Sequence, residues 1–133
     1  MPTDNLLVLK KVNLVLAIGW TIMIAFLCLV KMGDLPSLNI SISNIDKYVH
    51  ITFHFVFIML WGFYSWQKHS KIELKKIRNI LLISVAYGIL IEIMQEEFTT
   101  TRHADIMDVA ANCTGALLAL GVFIYLEKKT QNK

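Results

Sequence analysis

Charge is what this sequence has least of. Only 17% of its 133 residues are Asp, Glu, Lys or Arg, where an average soluble domain has about 25%. Two cysteines, Cys28 and Cys113, sit in separate apolar stretches, which excludes a disulfide scaffold and reads as two free thiols acting as small hydrophobes. No serine or cysteine stands beside a histidine in a recognised nucleophile motif, which argues against covalent catalysis. What the chain has in excess is apolar surface: 56% of residues are hydrophobic and the mean hydropathy is +0.56. A globule this small leaves roughly a third of its surface exposed, so that excess cannot be hidden in a soluble fold. An ordinary soluble enzyme and a disordered tail are excluded, and the bilayer is implied.

A transmembrane helix needs about 20 mainly apolar residues. Val12 to Val30 gives 19 uncharged residues and Tyr48 to Gln67 gives 20. A third run extends from Asn79 to Ile93, interrupted late by Glu92, and a fourth from Val109 to Val122 or a turn beyond, stopped by Glu127-Lys128-Lys129. The first run exceeds the about 7–15 residues of a signal-peptide core, and no small-x-small site follows Val30, so it reads as a retained anchor. The expected fold is an all-α integral membrane four-helix bundle. It forms a single domain over residues 1–133, with spans at about 10–31, 46–67, 77–96 and 106–126.

The basic residues set the expected orientation. Lys10 and Lys11 flank the first span, Lys68, Lys71, Lys75, Lys76 and Arg78 lie between the second and third, and Lys128, Lys129 and Lys133 close the chain. Only Lys31, Lys47 and Arg102 fall on the other side. Both termini are therefore expected in the cytoplasm. The net charge of +3 is spread over these flanks as a topology signal, not gathered into a nucleic-acid site.

Seven of the ten acidic residues, Asp34, Asp46, Glu92, Glu96, Glu97, Asp105 and Asp108, divide the opposite way, toward the outer ends of the spans. Asp46, His50 and His54 recur every fourth residue and share one helix face, bordered by Lys47. His54 lies roughly 12 Å below Asp46 along that helix. Glu92, Gln95 and Glu96 share a second face, with Glu92 about a turn inside the apolar zone; Glu97 points elsewhere. Asp105, Asp108 and Asn112 form a third stripe. Some members have simpler readings: Asp46 completes a capping-box variant after Ser43, Asp105 caps the fourth helix with Asp108 favoured by the helix dipole, and His54 is a hydrogen-bonded core histidine. Asn112 has no such account, and ionisable groups inside a membrane usually face a polar interior. Capping does not explain three stripes from one membrane face, so a shared outward-opening pocket is expected. Gly115 and Gly121 are expected to permit close helix packing.

In order and spacing, Asp46-Lys47-x-x-His50, Glu92-x-x-Gln95, and Arg102 followed by Asp105, Asp108, Asn112 and Gly115 resemble the motifs of the VanZ-like family of small bacterial membrane proteins. The likeness covers about residues 43–122. It implies a multi-pass protein of the bacterial inner membrane, related to one associated with resistance to teicoplanin and other glycopeptides. It does not supply a reaction.

The expected ligand-binding set is Asp46, Lys47, His50, Glu92, Gln95, Arg102, Asp105, Asp108 and Asn112. His50, Glu92 and Asp108 are the candidates for any catalysis. Asp46, Glu92, Glu96, Asp105 and Asp108 against Lys47 and Arg102 would leave 2 − 5 = −3 if all were ionised. Buried carboxylates at that density call for protonation of some of them, for protonated His50 and His54, or for a divalent cation. The cation is the least favoured of the three, with His50, His54, Glu92 and Glu96 as its weak candidate ligands. Three function classes follow. In the first, the pocket binds or modifies an anionic envelope component, a lipid-linked or cell-wall precursor; a transport version would need a homo-oligomer. In the second, it is a membrane hydrolase or transferase in which carboxylates and His50 act on a phosphate-containing lipid. In the third, which the convergent stripes disfavour, the chain is a purely structural membrane module.

Overall fold

A computed structural model describes residues 2–30, 45–98 and 103–132. Among them are four helices and no strand: α1 Pro2–Leu29, α2 Ile45–His69, α3 Leu74–Phe98 and α4 Ile106–Gln131. All four are long and apolar enough to cross a membrane. They extend beyond the uncharged runs because flanking lysines and carboxylates continue the helix into polar surroundings without breaking its backbone hydrogen bonds.

Antiparallel succession makes α2 run parallel to α4, and α1 parallel to α3. The polar ends of α2, α3 and α4 thereby meet at one end of the bundle, where His50 reaches Asn112 and Glu92 reaches Asp105. Lys68, Lys71, Lys75, Lys76, Lys128 and Lys129 lie toward the opposite end. Helix α2 packs against all three others, while α1 and α4 make no contact among the described residues.

Lipid tails are as apolar as leucine, so close packing and hydrogen bonds must hold such helices together. The α2–α4 seam shows the packing. Ala111, Gly115, Ala119 and Phe123 recur every four residues on α4 and are all buried. A Cβ on Gly115 would run into the Ile51 carbonyl oxygen, and one on Gly62 into the Phe123 ring. Gly121, in contrast to the sequence expectation, faces open space; it lies two residues off the Gly115–Ala119 repeat and so points away from α2.

Helix α1 is held largely through aromatic hydrogen bonds. Trp20 Nε1 donates to the Phe53 carbonyl at 3.0 Å, Trp61 Nε1 to Thr21 Oγ1 at 3.2 Å, and the Tyr87 hydroxyl to the Thr21 carbonyl at 2.6 Å. Its outer face, including Val15, Ile22 and Phe26, is exposed and apolar, as a lipid-facing surface requires. Cys28 is buried on α1 and Cys113 half-buried on α4, and the two are not joined in a disulfide.

Between α2 and α3, Ser70 adopts a left-handed conformation with φ 57°. Glu73 then lies between Lys71 and Lys76, at 3.8 and 3.2 Å. The hydrogen bond from Lys76 holds the Glu73 carboxyl below its ordinary range.

Candidate functional site

At the end of the bundle opposite those lysines lies a pocket of about 210 Å³ lined by Asp46, His50, Gln95, His103, Asp105 and Asp108. Its geometry is set from α4 upward. Asp105 has extended backbone angles, and its carboxylate accepts the Met107 amide at 2.8 Å, capping α4. That hydrogen bond, with Lys47 adding to it, holds the Asp105 carboxyl below its ordinary range. The Asp105 amide donates to Glu92 Oε2 at 3.2 Å, so the same residue caps one helix and ties it to another. Lys47 reaches in from α2, with Nζ 3.5 Å from Asp105 Oδ2 and 3.8 Å from Asp108 Oδ1.

Beneath this rim the site becomes dry. His50, Glu92 and Asn112 are 5%, 3% and 2% exposed. His50 Nδ1 and Asn112 Oδ1 are 3.0 Å apart. The carbonyl oxygen only accepts, so Nδ1 carries the proton and the ring is fixed with Nε2 toward the carboxylates. Nε2 lies 3.6 Å from Asp108 Oδ2 and 4.0 Å from Glu92 Oε1.

The expected site residues separate by depth. Asp46 is an exposed rim carboxylate, and Lys47, Asp105 and Asp108 form the wall. His50, Glu92 and Asn112 form the floor. Gln95 borders the pocket, but its amide also donates to the Cys28 carbonyl at 2.9 Å, tying α3 to α1. Arg102 lies outside the described residues. His54 stands in a separate deeper contact, with Nδ1 2.7 Å from Ser84 Oγ, and Glu96 is exposed outside the pocket lining.

Two participants carried weaker signals in the sequence. Ser84 and Gly88 precede Glu92 by eight and four residues, so all three share one face of α3. A Cβ on Gly88 would sit 2.6 Å from Asn112 Nδ2 and 3.0 Å from His54 Cε1; its missing side chain is the space those groups occupy. The face was detectable as small and polar residues in phase with Glu92, although a lone serine and a lone glycine in an apolar run do not announce partners.

Fold and site define a small polytopic helical membrane protein with an acid-rich polar pocket at one end. A family model described as VanZ/LLP1 matches residues 5–127, and the chain belongs to that family. No curated protein and no solved structure matches it.

Proposed function

We propose that this protein sits in the bacterial inner membrane with its pocket facing outward, and binds or modifies the anionic headgroup of an envelope component, a lipid-linked or cell-wall precursor. Altered exposure of that component would link it to resistance toward glycopeptides such as teicoplanin. The observation that carries the reading is the graded site: an open rim, a lysine on the wall and a buried imidazole–carboxylate floor. Such a gradient suits a ligand whose polar head enters while its apolar tail stays in lipid. Lys47 supplies a point charge for a phosphate or carboxylate, and Arg102, two residues before the pocket residue Asp105's neighbour Ala104, is the candidate for a bidentate contact.

The enzymatic version draws on one further observation. Asn112 fixes His50 so that Nε2 faces the pocket side, as a general base requires. Under it, His50 takes a proton at Nε2 from a water whose oxygen bonds to the headgroup phosphorus as the P–O bond to the leaving group breaks. Glu92 and Asp108 steady the imidazolium, which returns the proton to the departing oxygen.

The test is binding of the purified protein, in phosphatidylcholine nanodiscs, to an added polyprenyl diphosphate, with phosphatidylglycerol as the comparison anion. Saturable binding that Lys47→Ala weakens, with release of inorganic phosphate scored in parallel, supports the reading and separates binder from hydrolase. Binding no stronger than to phosphatidylglycerol, and equal in Lys47→Ala, overturns it.

A further inference from the structure

The proposed headgroup is anionic, yet the wall and floor of the pocket are together acidic. Lys47 against Glu92, Asp105 and Asp108 gives 1 − 3 = −2 when all are ionised, and Lys47 is already shared between two of those carboxylates. Glu92 and Asp108, whose side chains are 4% and 15% exposed, are the desolvated pair, and carboxylates in that state are unfavourable without a compensating cation.

The floor also has unspent coordination. One ligand atom each from His50, Glu92 and Asp108 lies within 4.8 Å of the others. Glu92 Oε1 and Asp108 Oδ1 are buried without a hydrogen-bond partner, and the Glu92 side chain is only 4% exposed. A buried acceptor with no donor is costly; Glu92 Oε1 faces His50 Nε2, while Asp108 turns Oδ2 to the same imidazole and Oδ1 toward Lys47, 3.8 Å away. With Nδ1 protonated toward Asn112, Nε2 of His50 offers a third lone pair there. Glu92 Oε1 and Asp108 Oδ2 both face His50 Nε2, an arrangement of acceptors that a metal ion resolves.

We propose that His50, Glu92 and Asp108 form a divalent transition-metal site, each giving one ligand atom, with the remaining coordination open to the pocket. Zinc bonds of about 2.0–2.2 Å in a tetrahedral shell set ligand–ligand edges of roughly 3.3–3.6 Å. The 3.6 Å edge from His50 to Asp108 lies at that value, the 4.0 Å edge to Glu92 is slightly longer, and all three edges lie within 4.8 Å. One nitrogen with two carboxylate oxygens suits zinc or manganese, whereas magnesium favours all-oxygen shells. Asn112 is the positioning residue: its hydrogen bond to Nδ1 fixes the tautomer and aims Nε2, the role outer-shell partners play at metal-bound histidines. A divalent ion brings the charge of the cluster from −2 to zero and places a positive centre under the pocket. Only this last link, from ion to anionic headgroup, rests on the reading given above; an Nε2 bound to metal is not free to act as the base of the enzymatic version.

The experiment uses untagged protein in detergent, stripped with chelator and titrated with Zn²⁺, Mn²⁺ or Mg²⁺ alone, no lipid ligand added. Bound metal is counted by mass spectrometry and stabilisation is read by thermal unfolding. One Zn²⁺ or Mn²⁺ per chain is expected, with Mg²⁺ far weaker. Asp108→Asn and His50→Ala abolish uptake, Asn112→Leu weakens it by about 10–100-fold, and His69→Ala, which removes an exposed histidine at the far end, leaves it unchanged. Failure to bind either transition metal stoichiometrically, or undiminished uptake in folded Asp108→Asn and His50→Ala, overturns the site. The wild-type stoichiometry decides the matter even if a variant does not fold. Metal uptake without headgroup binding in nanodiscs would leave this site standing and remove the headgroup reading; chelator-insensitive headgroup binding without metal uptake would do the reverse.

Discussion

His50 Nδ1 and Asn112 Oδ1 meet at 3.0 Å across the α2–α4 seam, with both residues buried. This contact aligns the imidazole and satisfies one of the few polar groups on the inner face of α4. Asn112→Leu removes the acceptor and leaves the buried Nδ1–H without a partner, at a cost of about 1–3 kcal/mol. Leu118, on the same helix, is 56% exposed, so Leu118→Ala costs little where lipid or detergent fills the space. Thermal unfolding in detergent should show a clear drop for the first and a small one for the second. Equal shifts would count against a shared polar interior.

The glycines predict a graded series. Gly115→Ala sets a methyl against the Ile51 carbonyl, a backbone atom that cannot step aside. It should lose about 1–3 kcal/mol, as overpacked interiors do. Gly88→Ala meets the ends of two side chains, Asn112 and His54, which can shift only by disturbing His50 or the Ser84 contact; metal uptake should suffer there more than stability. Gly121→Ala meets nothing and should gain up to about 1 kcal/mol from helix propensity. Denaturant titration of the three variants gives the order, and a Gly121→Ala protein less stable than Gly115→Ala would refute the packing account.

The four helices and the three polar stripes were legible in the sequence because both signals are periodic. Uncharged runs reveal spans, and spacings of three and four reveal a shared face. Depth and pairing were less legible. Asp108 and Asp105 look alike in sequence, yet Asp108, inside the helix, points to His50, while Asp105, the extended residue that caps α4, turns its carboxylate to the Met107 amide. Glu96 matches Glu92 in phase, but lies one turn farther out, where α3 emerges beyond the pocket. His54 shares the phase of His50, but at its depth α3 presents Ser84 in place of a carboxylate. Gly62 stood out even less: its partner is an aromatic ring 61 residues away, and no local pattern encodes that.

Acid should weaken the cap of α4. The Met107 amide holds the Asp105 carboxyl below its ordinary range, so the folded protein favours the ionised form more than the unfolded chain does. Its contribution is therefore complete above the unfolded value, about 3.9, and fades as pH falls through the lower folded value. Asparagine also caps helices well but does not titrate. Asp105→Asn should thus show a shallower loss of Tm below about pH 4 than the parent protein. An identical acid limb in both proteins would show that the cap contributes nothing to acid sensitivity.

Orientation is the remaining expectation, and its physical basis is the separation of charge between the two ends of the bundle. Lys68, Lys71, Lys75, Lys76, Lys128 and Lys129 gather toward one end, while the pocket with Asp46, Asp105 and Asp108 opens at the other. Basic flanks tend to stay on the cytoplasmic side during insertion, so an outward-facing pocket is the expectation. Single cysteines introduced at Ala104 and at His69, in a background carrying Cys28→Ala and Cys113→Ala, report on the two ends, since both positions are exposed. An impermeant maleimide added to intact cells should label position 104 and not position 69, and permeabilisation should open position 69. Labelling of position 69 from outside would turn the pocket toward the cytoplasm. An outer-leaflet or cell-wall ligand would then be impossible, while the His50–Glu92–Asp108 metal site, which depends only on the interior of the bundle, would be unaffected.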